Sequence, residues 1–438
     1  VDIAASATFA DRRDSYQTAC ADTSRSGGGG INGLVCLVAR GETPPTDTDI
    51  NDAAAFVGSR QDTSDFRMAT IIRLLWLDRR THALSDTQRQ TLKDAVLGFR
   101  YWIDEPGDDG MAFWTENHQI LFHTAELLAG LLYPDEVFSN NGWTGRQHAD
   151  HARPRLMRWL ELRERYGFSE WHSNVYYNED MPPLVNLVDF ADDEALRTRA
   201  ASVLDVVALD FAMNMYNGLF ATTHGRTYEG HFIGGLEDST QEAAWLMLGL
   251  GSYGSTTHFT TAFLATSSYV TPAVIEDVAA ANAAHNELHQ HDSFDVADAP
   301  RAHVGYSGLD DIVVWAGLSA IMAPDLAIGS IDVVEQYDLW DGFLFGSLPA
   351  NITQMLKSLA GKPALRTLSE QLLPLSQGMA LEGVSTYAWR TPDYQLAGAQ
   401  DWKPGFWSAQ TQMWLGTLDA QAFVTTNAPA VVGLGNME

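Results

Sequence analysis

Four stretches of this chain concentrate amide, imidazole, phenol, guanidinium and carboxylate groups. They are "WTENH" (114–118), "SEWHSNVYYNED" (169–180), "THGRTYEGHF" (223–232) and "APRAHVGYSG" (299–308). Together they supply Asn117, His118, His172, Asn174, Tyr177, His224, Arg226, Tyr228, Arg301 and Tyr306. One chemistry that uses this set is proton abstraction beside a carboxylate. Removing the C5 proton of a uronic acid requires the neighbouring charge to be neutralised, and Asn and His hydrogen bonds with an Arg do that. A Tyr or His within reach then takes the proton, and a phenol returns one to the leaving oxygen. On this reading Tyr228, a phenol made more acidic by nearby cations, transfers the proton. His224 shares that work, while Asn174, Asn117, His118 and Arg301 hold the carboxylate. Trp114, Trp171 and Trp407 offer faces to sugar rings, with Glu116, His172, Tyr177, Arg226 and Tyr306 as further contacts. Tyr176 and Tyr177 are consecutive, so on an extended segment only one of them faces a cleft.

The same stretches admit two other readings. An inverting glycoside hydrolase needs two carboxylates roughly 6.5–9.5 Å apart; Glu116 as acid with Asp180, Glu179 or Glu237 as base fits that requirement. A non-catalytic glycan-binding toroid would use the aromatic residues alone. Each residue also has a plain structural reading: Asn117 and His118 as helix caps, and Arg301 as a partner of Asp310 or Asp311. A conjugated, near-ultraviolet-absorbing product separates elimination from hydrolysis.

The elements that must position these residues are helical. "FRMATIIRLLWL" (66–77), "TQRQTLKDAVLGFRYWI" (87–103), "HQILFHTAELLAGLLY" (118–133) and "RPRLMRWLELRERYG" (153–167) read as successive helices. Leu156, Trp159 and Leu160 form an i, i+3, i+4 stripe in the last of them. "PLVNLVDFA", "EALRTRAASVLDVVALDFAM", "STQEAAWLMLGLG" and "GLDDIVVWAGLSAIM" continue the pattern. Every second connection is long and aromatic (105–117, 167–180, 218–238 and 292–307). The first three centres lie about 55 residues apart, the length of one helical hairpin with its loops. This predicts a mainly α fold, an (α/α) toroid of five to seven hairpins, with one loop set gathered at one end. We divide the chain into an irregular segment 1–60, a toroid 61–375 and a β-rich extension 376–438 with strand-like alternation.

Hairpins with Asn, His, Tyr and Arg on one rim resemble the (α/α)-toroid polysaccharide lyases, the alginate, chondroitin AC and heparinase-like enzymes. Asn117-His118 is similar to the Asn-His pair that opens an inner helix in alginate lyases, although Glu116 stands where those tend to have another Asn. Asn174, His224, Tyr228 and Arg301 follow the order of chondroitin AC-like lyases, with a tighter His-to-Tyr spacing. The resemblance covers about 310 residues. It implies β-elimination on a uronic-acid polysaccharide such as alginate, glucuronan or a glycosaminoglycan, and a β-sandwich that the tail would begin.

Twenty-seven Lys and Arg stand against 56 Asp and Glu, a net charge of −29. That balance excludes a nucleic-acid surface and also opposes a polyanionic substrate. Arg226, Arg301 and the arginines of 153–165 are the local cations that would relieve the repulsion. No apolar run is long enough to span a membrane. The start at Val1 and the pair Cys20 and Cys36, bridged or free, are read as a secreted or periplasmic protein. No cofactor is expected. The one candidate metal set is His285, His289 and His291, with an i, i+4 spacing that suits zinc on a helix. The oligomeric state is not encoded in any motif.

Overall fold

The computed structural model describes residues 8–427 except 108, 234–237, 252, 255–258, 282–284, 343–345, 347, 377–380, 404 and 406–409. Trp407 and Glu237 lie outside the described residues. The chain is mainly helical. Its first half holds α1 (Phe9–Arg25), α2 (Gly30–Ala39), α3 (Thr48–Gly58), α4 (Ser64–Thr81), α5 (Asp86–Gly98), α6 (Glu116–Leu132), α7 (Gly145–Tyr166), α8 (Tyr177–Phe190) and α9 (Glu194–Asn214). A short hairpin follows, β1 (Met215–Tyr216) and β2 (Leu219–Phe220), then α10 (Glu229–Ile233), α11 (Gln241–Leu248), α12 (Phe259–Ala265) and α13 (Ala273–Ala281). Strand β3 (Asn286–Asp292) precedes α14 (Ala299–Ala302), α15 (Leu309–Gly317), α16 (Ala327–Gln336), α17 (Ala350–Leu359) and α18 (Pro363–Ser376). The chain closes on β4 (Val384–Arg390), β5 (Gln395–Asp401), β6 (Gln412–Asp419) and β7 (Ala422–Asn427).

The segment 1–60, expected to be irregular, carries α1, α2 and α3. Their signals are short: a Thr8–Asp11 capping box opens α1, and left-handed Gly29 leads into α2. The glycine run between them reads as a linker, yet it is the turn that lets Cys20 bond Cys36. Closing a loop of 16 residues stabilises the fold by about 3 kcal/mol on a chain-entropy model. α7 starts eight residues before the stretch 153–167 read from the sequence, because Thr144 and Gln147 cap each other.

Packing follows a cyclic order. α2 lies on α4, α4 on α6, α6 on α8, α8 on α12, and α12 back on α2, with α1, α5, α7 and α9 packed against members of this series. The fully buried Arg73 of α4 joins three of these helices. Its guanidinium donates to Asn186 Oδ1 (3.1 Å) and Asp189 Oδ2 (3.0 Å) on α8 and to the Phe263 carbonyl (3.2 Å) on α12. It also donates to Thr266 Oγ1 (2.9 Å) just beyond α12. α8 tolerates Pro182 inside it, a residue that cannot donate to the Asn178 carbonyl. The Thr260 hydroxyl of α12 takes that carbonyl instead.

Strands β3 to β7 form one antiparallel sheet in sequence order. The β-rich extension is thus present, but its first strand comes from 286–292, which the sequence reading placed at a helix-spaced histidine cluster. Alternation explains the strand: Glu287, His289 and His291 are exposed, while Leu288, Gln290 and Asp292 turn inward. His285 and His289 therefore do not share a helical face. His289 lies 3.5 Å from Glu287, and His291 Nδ1 lies 3.1 Å from Ser385 Oγ. The sheet docks through Leu415 against Tyr216 and Leu219 of the β1–β2 hairpin and Ala221 beyond it, and through Val384 against Trp171 of the loop before α8.

Removing the Arg73 guanidinium leaves Asp189 buried without its cation. Arg73→Met is expected to lower stability by roughly 3–5 kcal/mol in urea melts. Arg73→Met with Asp189→Asn should recover part of that loss. Strictly additive losses would show that the two are not coupled.

Candidate functional site

Glu116, the first residue of α6, builds the site's floor. A carboxylate is favoured at a helix N-terminus. Its oxygens accept the backbone N–H groups of Ser169 and Glu170, both at 3.0 Å, and it pairs with Arg163 of α7. At 1% exposure, bonded by two backbone N–H groups and Arg163, it acts as a structural clamp. What it clamps is the loop that carries Glu170, Asn174 and Tyr176.

Above that floor, Arg226 gathers the phenols. Its Nη1 donates to Glu170 Oε1 (2.8 Å), and its Nη2 lies 3.2 Å from both the Tyr176 and the Tyr228 hydroxyl. Those two hydroxyls bond each other. Both rings are half-buried, and the guanidinium carbon sits 4.8 Å and 5.7 Å from their centres. Gln410 holds Nε at 2.7 Å. Burial pushes the Tyr176 hydroxyl well above the usual phenol range, against the pull of Arg226. Asn174 has its backbone carbonyl held by Ser239, and its buried side-chain oxygen has no partner among the described residues.

Glu170 also faces a second cluster. His118 Nδ1 bonds Asp65 Oδ2 at 2.6 Å, with Asp62 3.7 Å from Nε2. Burial opposes a charge on this ring, but Asp65 and Asp62 outweigh it and raise its pKa. Burial, with the nearby Asp65 charge, lifts Glu179 to about 8. Burial likewise holds Asp180 well above the carboxylate range; neither of its oxygens has a partner among the described residues. Asn117 is fully buried, its Oδ1 bonded by Thr115.

Several sequence-predicted residues lie elsewhere. Tyr177 opens α8 and its ring turns into the core, where its hydroxyl donates to Asp210 at 2.9 Å. It is Tyr176 that faces Arg226. His172 lies buried 3.6 Å from Asp210 and 3.7 Å from Asp292. His224 donates through Nδ1 to the His172 carbonyl, and burial lowers its pKa to about 3, so its ring is neutral. Trp171 is fully buried against Leu381 and Val384, under Gly225, where a Cβ would stand 2.5 Å from the indole. It joins sheet to helices and offers no face to a sugar. Trp114 lines a cavity of about 90 Å³ with Phe113, Leu309 and Val333. Arg301 is exposed and pairs with Asp298 at 3.5 Å; Asp310 and Asp311 instead take Arg155 and Arg158. Tyr306 is exposed on the surface. The arginines of 153–165 are all neutralised: Arg153 by Asp192, Arg155 by Asp104, Arg158 by Asp311, Arg163 by Glu116 and Arg165 by Glu161. They supply no free positive field.

Sequence reasoning named Tyr176 as one of a tyrosine pair and Arg163 among the arginines of 153–165, and it missed Glu170 and Asp65. Those two are charged residues, one in a loop and one in α4, with no local mark. No protein family, curated protein or solved structure matches the chain.

The arrangement can hold two phenol hydroxyls against Arg226, itself paired with Glu170, donate a proton from a neutral carboxyl group, and move a proton between two joined phenols. The folded pKa of Glu179 stands near 8, above its ordinary 4.5. Its contribution to stability is therefore complete below about 4.5 and disappears as pH rises through about 8. Glu179→Gln should flatten the fall of Tm across that window; an unchanged profile would remove Glu179 as its source. Glu116→Gln removes the ion-pair partner of buried Arg163, and a loss of roughly 3–5 kcal/mol is expected in denaturant melts.

Proposed function

We propose that this chain is a polysaccharide lyase that cleaves a uronic-acid-containing polysaccharide by β-elimination on an (α/α) toroid. The cyclic contacts of α2, α4, α6, α8 and α12 support the toroid. The observation that carries the reaction is the pair of joined hydroxyls, Tyr176 and Tyr228, both 3.2 Å from one guanidinium nitrogen of Arg226. A phenol with a cationic donor at its oxygen suits abstraction of the C5 proton, and its partner suits protonation of the leaving oxygen. Tyr228 is the base in this scheme and Tyr176 the acid. Arg226, Asn174 and neutral Glu179 bear on the substrate carboxylate. A carboxyl that stays protonated to about 8 donates to an anion without repelling it, which offsets the net negative charge locally. The Cys20–Cys36 bridge supports an oxidising, secreted or periplasmic location.

Glu179 also favours a second reading, an inverting hydrolase. A protonated carboxyl beside ionised groups is the general acid that reaction needs, and Glu179 replaces the clamped Glu116 in that role, with Glu170 as base. The test is a glycan panel (alginate, glucuronan, glycosaminoglycans and neutral glucans) followed by near-ultraviolet absorbance and reducing ends together. Absorbance rising with reducing ends is expected. Tyr228→Phe should leave Tm nearly unchanged and lower turnover about a hundredfold. Reducing ends without absorbance, lost in Glu179→Gln and kept in Tyr228→Phe, would transfer the assignment to the hydrolase.

A further inference from the structure

Two helical turns and more along α6 from Glu116, a second polar cluster is buried between α6, α7 and the loop after α5. Glu105, Glu126 and His148 each turn one metal-ligand atom into a common space, with all three atoms within 4.8 Å of one another. The three residues are 3%, 0% and 0% exposed. Glu126 Oε2 and His148 Nε2 have no hydrogen-bond partner among the described residues. Unpaired buried groups of this kind cost free energy unless something completes them.

We propose that Glu105, Glu126 and His148 bind a divalent transition-metal ion, with zinc as the best fit to one imidazole and two carboxylates. This site is distinct from the surface histidines of β3, and it does not rest on the lyase reading. Two carboxylates balance a dication, and an imidazole nitrogen with carboxylate oxygens is an accepted zinc set. The cluster has the outer layer that metal sites use to orient their ligands. Glu105 Oε1 accepts the Tyr101 N–H (3.0 Å), and its Oε2 accepts from Asn140 Nδ2 (2.9 Å). His151 bridges Glu126 Oε1 (2.8 Å) and Asp104 Oδ2 (2.9 Å). The His148 ring is packed by Phe138 (4.4 Å between ring centres) and by Tyr101 (5.4 Å), so its orientation is set. The ion would tie the 99–105 loop to α6 and α7 through side chains that are themselves buried. Its role would then be structural, and binding would add to folding stability.

The test uses the full chain, stripped with a chelator, then given zinc sulfate and freed of excess by gel filtration. One zinc ion per chain is expected by elemental mass spectrometry, with Tm raised by about 5 °C or more over the stripped protein. Glu105→Gln and His148→Gln should each lose both the retained zinc and the shift, whereas the surface control His289→Gln/His291→Gln should keep both. Cobalt(II) added to the stripped wild-type chain serves if those buried variants do not fold. Visible d–d bands of a low-coordinate nitrogen and oxygen site, retained in the surface control, are expected. No retained zinc and no cobalt bands would overturn the site, as would binding that survives Glu105→Gln or vanishes in the surface control.

Discussion

A guanidinium buried to zero exposure dictates how the helices meet. Arg73 donates to α8 and to the α12 region at once, so α4, α8 and α12 have one relative phase in which its donors are satisfied. Any other rotation leaves a charge without partners in a low-dielectric interior, a cost of several kcal/mol. Phe190 and Phe263 pack over the same guanidinium at 5.4 and 5.0 Å, which joins this polar anchor to the apolar core. Asp189 extends the anchor outward by accepting from Ser267 and Ser268. The ring of helix contacts from α2 through α12 is built around this joint.

Glu116 repeats the principle where the phenols are positioned. A carboxylate in the sequence "WTENH" reads naturally as a catalytic group, but burial next to Arg163 and two backbone donors makes it a fastener. It holds Ser169 and Glu170, Glu170 holds Arg226, and Arg226 holds Tyr176 and Tyr228. The reactive groups in this scheme are thus the far end of a chain of charged contacts that starts in the helical core. The β-sheet supports the same chain from the other side, since His224 pairs with Gln412 and Gln410 holds Arg226.

The acidic surface and the site are reconciled by burial. Among the described residues the α7 arginines are each consumed by a carboxylate, so the long-range field stays negative. Inside, desolvation keeps Glu179 and Asp180 protonated through the range where free carboxylates ionise. A buried acid cluster therefore carries less charge than its composition suggests.

The helical class, the positions of α4 to α9 and the strand-like tail were legible in the chain, because 3.6- and 2-residue periodicities report which face of an element is buried. The convergence of the 169–180 and 223–232 stretches was legible too, since loops alternating in length around hairpins emerge together. Periodicity does not register polar anchors, so α1 to α3 and β3, whose limits rest on caps and on a sheet partner about a hundred residues away, were missed. Nor does it distinguish a buried ion pair from a catalytic acid. The sequence names Glu116, Tyr176, Tyr177 and Trp171 as chemistry-bearing types. Only the tertiary structure decided that Glu116 meets Arg163, that Tyr176 rather than Tyr177 faces Arg226, and that Trp171 fills the seam between helices and sheet. The reason is physical: a side chain's role depends on what desolvates it and what pairs with it, and both come from residues distant in the chain.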